Sequence, residues 1–470
     1  MSSPKPLSDR PTPQGVSSRR DKALAMGGIS LAGMMVALDA TIISTSMPTV
    51  AQALNGMDLY SWVGTGYFLS LSATILIFGR LGDMYGRKPM MMASLALVAI
   101  FSLLCGVSQS MTQLIVFRII QGIGGGMMIA TSFAAPADLF PDARQRVQWM
   151  ALVTMGYGLA NSFGPLVGGV MTESFGWRST FTVIPVVGFA ATFMIWKYFP
   201  RLLPTAGQEK QIDWIGAILI MLSIGCLLVG IELLSGRGAM GIGSAIGLIG
   251  IGLVLAGVLF LVEKQVRNPI FPLRIVTTRE SRLLNMASMI SGAIMFILIF
   301  YVPLLLQDVF NHTPKQAGLL MTPMVAGIPL GSIINGRLYP RQNEPQRLML
   351  FGSILMAAGC LGTLLVTPSS PDWLVLTSLG LAGLGLGFLL PNFTLGVQVL
   401  CAKQDIGVAS ALIQTTRALG SAIGMAATGL LIAKISISGG LRISLAIALG
   451  LSILTAWMVM QVQMRNVTTR

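Results

Sequence analysis

The sequence predicts an all-α membrane protein with fourteen transmembrane spans. Its 470 residues are 54% hydrophobic and only 10% charged, whereas a soluble domain carries about 25% charged residues. Apolar stretches of about 20 residues, the length that a helix needs to cross the hydrocarbon core, follow one another along most of the chain. A transmembrane β-barrel would show short alternating segments instead. We therefore expect the membrane-embedded part to be helical throughout.

Each predicted span is an apolar stretch bounded by polar or basic residues. In chain order the spans cover residues 24–48, 61–79, 89–107, 113–133, 149–170, 179–197, 213–234, 242–262, 283–306, 317–335, 347–366, 373–395, 408–433 and 443–463. The longest internal connections, 198–212 and 263–282, bracket spans seven and eight. This spacing predicts two six-span halves with an extra pair of helices between them.

The positions of the lysines and arginines support this count. With the N-terminus in the cytoplasm, 24 of the 31 basic residues fall in cytoplasmic segments, five in outer segments and two within spans. Cytoplasmic loops of membrane proteins are rich in Lys and Arg. A wrong span count would distribute these residues over both sides of the membrane. Orientation and contact with anionic lipids then explain the formal net charge of +14. We expect no nucleic-acid partner.

The chain divides into five predicted segments. They are a disordered cytoplasmic tail at 1–22, an N-terminal six-helix bundle at 23–198, a linker with two extra transmembrane helices at 199–282, a C-terminal six-helix bundle at 283–464 and a cytoplasmic tail at 465–470. The first tail is polar and rich in Pro and Ser, which is typical of disorder. The tripeptide Gly-Arg-Leu at 79–81 recurs at 336–338, and weak internal symmetry is typical of secondary transporters.

Asp39 is an acid inside the first apolar span. A charge at membrane depth is costly unless it is paired, hydrated or neutralised. Burial disfavours the charged form of a carboxyl group, so such a group can take up and release a proton during a transport cycle. Thr41, Ser44 and Thr45 form a polar strip near it. We predict that Asp39 and Thr41 serve proton coupling or cation contact; a hydrogen-bonded structural acid is the alternative.

Two arginines lie within spans. Arg118 in span four must have acceptors or water around it, because a guanidinium keeps its charge, and Gln121 follows one turn later. The alternative is an arginine that tethers its helix to backbone carbonyl groups. Arg417 in span thirteen lies nearer the cytoplasmic end. Arg118, Gln121 and Arg417 are candidates for proton coupling or substrate contact.

Two further segments are rich in glycine, one together with charged residues and the other around a proline. Residues 79–88, Gly-Arg-Leu-Gly-Asp-Met-Tyr-Gly-Arg-Lys, join spans two and three; their glycines allow tight turns at helix ends. In span five, small residues recur every four positions from 156 to 168 around Pro165. Such a face lets helices approach closely, and the proline bends its helix. Ordinary membrane packing is the alternative to a gate here.

These segments resemble the motifs of the major facilitator superfamily. Residues 79–88 resemble its signature loop, Gly-x-x-x-Asp-x-x-Gly-Arg-Lys. Leu38–Pro48, Arg118–Gly124 and Gly164–Gly169 resemble the first-, fourth- and fifth-span motifs of its fourteen-span drug:proton antiporters. Ala160 departs from the pattern, since many relatives have Gly there. The resemblance covers nearly the whole chain.

The resemblance implies the major facilitator fold, in which two six-helix bundles, here with two extra helices, rock around a central cavity. It also implies that Arg118 responds to or modulates a nearby acid. The gating motif would comprise Gly79, Gly82, Asp83, Gly86, Arg87 and Lys88. The antiporter-type motif would comprise Gly156, Ala160, Gly164, Pro165, Gly168 and Gly169.

The interpretation that follows is a proton-coupled secondary transporter that exports amphipathic or cationic drugs by alternating access. No Gly-x-x-x-x-Gly-Lys-Ser/Thr phosphate loop occurs, so an ion gradient is the expected energy source, and no cofactor or metal is expected. Small-molecule substrates, protons and lipids are the expected partners. We expect a monomer in the bacterial inner membrane with both termini in the cytoplasm.

Other functions remain open at this stage. The protein could export or import one specific metabolite. A non-transporting membrane sensor or scaffold has no need of an intramembrane acid and arginine. A membrane-embedded enzyme should show paired acids, a histidine cluster or a nucleophile with its base, and this chain has one histidine. We therefore predict that the protein is not an enzyme.

Overall fold

The computed structural model describes residues 19–140, 143–200, 213–233, 242–264, 266, 278–339, 342, 344–401 and 406–462. Within them the first half of the chain forms α1 (Arg19–Ala53), α2 (Tyr60–Tyr85), α3 (Arg87–Gly106), α4 (Met111–Leu139), α5 (Ala143–Phe175) and α6 (Arg178–Tyr198). The extra pair is α7 (Trp214–Leu233) and α8 (Ile242–Glu263). The second half forms α9 (Arg279–Leu304), α10 (Pro314–Leu338), α11 (Gln346–Leu365), α12 (Asp372–Leu400), α13 (Ile406–Lys434) and α14 (Ile437–Met460).

Each predicted span overlaps one of these helices, which confirms that the described part of this membrane protein is helical. Over the described residues, however, twelve helices are long and apolar enough to cross a membrane, and α2 and α5 are not among them. The predicted count of fourteen spans is therefore not confirmed.

Several helices begin at the polar caps that the backbone requires. Thr313 and Gln316 form a capping box at the start of α10. Ser110 and Ser436 accept hydrogen bonds from backbone N–H groups of α4 and α14. α1 begins at Arg19, so residues 19–22, predicted as part of the tail, are helical. The rest of that tail and residues 465–470 lie outside the described residues.

The helices pack as two groups of six. In the first half α1 packs against α5 and α6, and α4 against α2 and α3; in the second half α12 packs against α10 and α11, and α9 against α13 and α14. The halves meet where α2 faces α13, α5 faces α10 and α1 faces α9. α7 and α8 pack on each other, and α7 contacts α2 and α13.

The connection between α2 and α3 is shorter than the loop that the sequence predicts. α2 continues to Tyr85, so Gly79 and Gly82 lie inside a helix, and Gly86 alone separates α2 from α3. Gly86 has φ +91°, a region that favours glycine. A Cβ atom at Gly79 would meet nothing within 4 Å. In this segment, therefore, the turn itself requires only Gly86.

Candidate functional site

A buried ion pair joins α1 to α4 in the first half. Arg118 Nη1 donates to Asp39 Oδ2 at 2.8 Å and to Gln121 Oε1 at 2.9 Å. Gln121 Nε2 in turn donates to Asp39 Oδ1 at 3.0 Å. The two charged side chains are each 1% exposed, so the three predicted residues form one cluster shielded from solvent.

Tyr67 of α2 completes this cluster. The Arg118 guanidinium carbon lies 4.1 Å from the centroid of the Tyr67 ring, a cation–π distance. α2 and α4 approach closely enough for this because Gly122 and Gly126 leave room for the backbone of α2. The sequence analysis missed this role of Tyr67; its position one residue before Phe68, among many apolar aromatic residues, gave no specific signal.

The cluster is electrically balanced only while Asp39 is ionised. A buried arginine whose carboxylate partner becomes neutral is left with an uncompensated charge, which is strongly destabilising. Arg118 Nε already lacks a hydrogen-bond partner among the described residues. Protonation of Asp39 would therefore weaken the link between α1 and α4 and release the arginine to other acceptors. The packing of α1 on α4 is therefore sensitive to the charge of Asp39.

Thr41 and Arg417 do not join this cluster. Thr41 follows Asp39 by two residues, and residues two apart on a helix face different directions. Its hydroxyl Oγ1 donates instead to the carbonyl oxygen of Ala37 at 3.0 Å. Arg417 lies on α13 in the other half, and none of the described contacts of Asp39 comes from α13. The predicted polar strip beside Asp39 therefore does not reach its carboxylate.

The small residues of span five form the contact between α5 and α1. A Cβ atom at Gly168 would meet the Ile42 carbonyl oxygen and would lie 2.6 Å from Thr45 Oγ1. Gly156 faces Ser30, and Gly164 faces Thr41. Thr45 Oγ1 also donates to the Pro165 carbonyl oxygen at 2.9 Å. Ala160 is buried as well.

The opposite face of α5 meets α10 in the second half. Gly169 lies against the backbone of Pro314, and a Cβ atom at Gly318 would lie 2.5 Å from the Pro165 carbonyl oxygen. The segment around Pro165 thus touches both halves. The gating role of α5 stays a prediction.

The segment 79–88 is anchored to α6. Lys88 Nζ donates to the carbonyl oxygens of Trp196 at 2.7 Å and Phe199 at 2.6 Å, where the C-terminal end of α6 favours a positive charge. Arg87 lies near Gly82. The side chain of Asp83, which the sequence places at the centre of this motif, lies outside the described residues.

Comparison with known proteins gives consistent matches. The family profile of the Major Facilitator Superfamily matches residues 29–425 and 284–466. Multidrug resistance protein 3 of Bacillus subtilis (strain 168) is 33% identical over 375 residues, covering 78% of this chain and 70% of that protein. Multidrug transporter protein MdtP of the same strain is 31% identical over 422 residues, covering 88% of this chain and 76% of that protein.

A solved structure shares the fold. A bacterial homolog of the human lysosomal transporter Spinster, in an inward-facing and unoccupied conformation, aligns with a TM-score of 0.62 and 14% identity. The alignment covers 94% of this chain and 97% of that one.

Proposed function

Because this chain belongs to the Major Facilitator Superfamily, we propose that it is a proton-coupled transporter that exports amphipathic toxic compounds by alternating access. The protein is a transporter and not an enzyme. Two relatives named for multidrug resistance and multidrug transport, each more than 30% identical, support export of drug-like compounds over uptake of a nutrient.

The observation that carries proton coupling is the buried pair of Asp39 and Arg118. An intramembrane carboxylate that serves only structure could be replaced by a neutral amide with the same shape, at lower desolvation cost. Here the ionised carboxylate of Asp39 neutralises the charge of Arg118, whereas the protonated carboxyl group would leave that charge without a counterion. Proton binding at Asp39 therefore favours a different helix arrangement, which is what coupling requires.

The topology belongs to the same proposal. We place the protein in a cytoplasmic membrane as a monomer in contact with lipids, with fourteen spans and both termini inside. The sorting of basic residues supports this orientation, since 24 of 31 then face the cytoplasm. We count α2 and α5 as spans because each packs between helices that are long and apolar enough to cross the membrane. The packing of α1–α6 and of α9–α14 as two groups supports bundles at 23–198 and 283–464 as part of this proposal.

The test is efflux from energised cells that lack their main drug pumps. A panel of unrelated fluorescent dyes is loaded, and export is compared between wild type, Asp39→Asn and Asp58→Asn. Asp58 lies in an exposed turn at Met57–Leu59, so its variant makes the same chemical change away from the site. We expect a protonophore or Asp39→Asn to reduce export to background, and Asp58→Asn to leave it unchanged.

Two results would count against the proposal. Normal dye export by Asp39→Asn, with the protein inserted at wild-type levels, would remove Asp39 from the coupling step. Export of no dye by wild type, together with export of one compound in a metabolite screen, would replace drug efflux by specific metabolite export.

A further inference from the structure

Gln121 links the two charged residues of the buried cluster through both ends of its side-chain amide. Its Oε1 oxygen accepts a hydrogen bond from Arg118 Nη1 at 2.9 Å, and its Nε2 nitrogen donates one to Asp39 Oδ1 at 3.0 Å. The side chain is fully buried, so bulk solvent does not reach either end. The orientation of this amide therefore depends on which of the groups around it are donors and which are acceptors.

The ionised form of Asp39 fits the observed orientation. A carboxylate only accepts hydrogen bonds, whereas a guanidinium only donates them. Arg118 Nη1 and Gln121 Nε2, which hydrogen-bond the two carboxylate oxygens, are both donors. Arg118 Nη1 in turn has two acceptors, Asp39 Oδ2 and Gln121 Oε1. While Asp39 is ionised, each of these hydrogen bonds pairs a donor with an acceptor.

A proton on Asp39 changes this pattern. The new O–H group is itself a donor, and a buried donor without an acceptor is costly. Within the cluster, the amide oxygen of Gln121 is an acceptor on a group that already contacts Asp39. Half a turn of the amide about its Cγ–Cδ bond would exchange the positions of Oε1 and Nε2. The amide oxygen would then face the Asp39 hydroxyl, and Arg118 Nη1 would face an N–H donor.

Cys105 of α3 can accommodate either orientation of the amide. Its Sγ atom lies 3.8 Å from Gln121 Oε1 and donates to it, and Cys105 is fully buried. A thiol is a weak donor and also a weak acceptor, so it could receive a hydrogen bond from Nε2 after the turn. The turned amide would therefore have a partner at both of its ends.

We propose that Gln121 transmits the protonation of Asp39 to Arg118 by turning its side-chain amide. A proton from the outer aqueous phase forms an O–H bond with the Asp39 carboxylate and neutralises it. The amide oxygen accepts from this O–H group, so Arg118 loses its amide acceptor together with its counterion. Release of the proton to the cytoplasm returns the amide to its first orientation. This inference rests on the proposed export function and adds a positioning residue to it.

The proton in this step acts on the carboxyl group of Asp39. Three other titratable or charged side chains lie at the cluster, namely Arg118 of α4, Tyr67 of α2 and Cys105 of α3. The guanidinium keeps its proton at physiological pH, and phenol and thiol groups ordinarily hold theirs at neutral pH. The two orientations of the amide thus correspond to the two charge states of Asp39.

The first test is infrared difference spectroscopy of the full-length protein in lipid vesicles, recorded between high and low pH. A protonated carboxyl group gives a carbonyl band, and its loss in Asp39→Asn identifies the band of Asp39. Wild type is compared with Gln121→Met, which has a similar size but lacks the amide. Gln113→Met is the matched control, because Gln113 is exposed on the same helix.

We expect wild type to show the Asp39 band together with a change in a side-chain amide band, and Asp39→Asn to remove both. Gln121→Met should remove the amide change and move the Asp39 band to higher wavenumber, because the carboxyl O–H group has lost its acceptor. Gln113→Met should match wild type. A side-chain amide that only supports the fold would not respond to the charge of Asp39.

The second test is transport into vesicles under an imposed pH gradient, with the dye that cells export best. Gln121→Met should exchange dye between the two sides without uphill accumulation. Gln121→Glu should retain part of the accumulation, because a neutral carboxyl group keeps one donor and one acceptor. Gln113→Met should accumulate dye as wild type does.

Three results would overturn the inference. They are an Asp39 band without an amide change in wild type, an Asp39 band at the same wavenumber in wild type and Gln121→Met, and equal uphill accumulation by these two proteins. The first depends only on wild type and Asp39→Asn, so it decides the matter even where Gln121→Met does not insert.

The inference and the proposed function fail in different ways. Gradient-driven export that depends on Asp39, combined with no amide change, would refute the role of Gln121 alone. An amide change that depends on Asp39, combined with no gradient-driven export by wild type, would refute proton-coupled export and leave the turning amide in place.

Discussion

Arg118 has two hydrogen-bonding partners and one stacking partner within a fully buried space. Its Nη1 nitrogen donates hydrogen bonds to both Asp39 and Gln121, and its guanidinium group lies over the ring of Tyr67. A lysine ammonium is a compact, strongly hydrated charge that neither stacks in the same way nor spans two acceptors in a plane. The cluster therefore depends on the shape of the arginine as well as on its charge.

Arg118→Lys should preserve insertion and reduce gradient-driven export about tenfold or more, since it loses at least one charge-assisted hydrogen bond. Arg118→Gln should do greater damage, because an unpaired buried carboxylate costs about 3–5 kcal/mol. Initial export rates at equal amounts of membrane protein measure both effects. Equal rates for wild type and Arg118→Lys would show that charge alone suffices.

At the scale of elements, α5 determines how closely three helices approach. Its glycine face lies on α1, and its other face lies on α10. In a membrane, close packing of small residues replaces the hydrophobic effect as the main force between helices. The Thr45 hydroxyl adds a hydrogen bond to the carbonyl of Pro165. α5 therefore connects the helix that carries Asp39 to the second half.

Gly168→Ala should destabilise the purified protein by about 1–3 kcal/mol, the usual cost of overpacking a filled space. The added methyl group would meet the Ile42 carbonyl and the Thr45 hydroxyl. Gly247→Ala in α8 is the matched control, because a Cβ atom there meets nothing within 4 Å; its effect should stay within about 0.5 kcal/mol. Thermal unfolding in detergent compares them, and equal stability of the two variants would contradict tight α1–α5 packing.

The helices were predictable from sequence because hydropathy and helix length are local properties. The need of Asp39 and Arg118 for partners at membrane depth was predictable, whereas the sequence did not identify the two residues as partners of each other. The contribution of Tyr67 was not predictable, because it depends on how α2 lies across α4. The helical continuation through Gly79 and Gly82 was missed for a related reason: packing in the bundle outweighs the low helix propensity of glycine.

At the scale of the whole molecule, three hydrogen bonds join the two halves at one end of the helices. Gln307, in a π-helical turn after α9, donates to the Thr45 carbonyl at 2.9 Å, and Gln52 donates to Asp308 at 3.0 Å. The Lys315 amide donates to Glu173 at 3.3 Å. In the proposed topology this end faces outward, so these hydrogen bonds would hold the two halves together at the outer surface.

Linking Gln52→Cys to Asp308→Cys with a short bifunctional methanethiosulfonate should stop export, and reduction should restore it. Alternating access requires these helix ends to separate once per cycle. Each single cysteine variant treated in the same way is the control. Undiminished export by the fully cross-linked protein would show that this end does not open.

The central claim is that a proton at Asp39 drives transport, and reconstituted vesicles test it most directly. The dye exported best by cells is placed on both sides of the membrane, and a pH gradient is imposed. Wild type should accumulate the dye against its concentration gradient, whereas Asp39→Asn should exchange dye between the two sides without accumulation. Uphill accumulation by Asp39→Asn equal to that of wild type would contradict the claim.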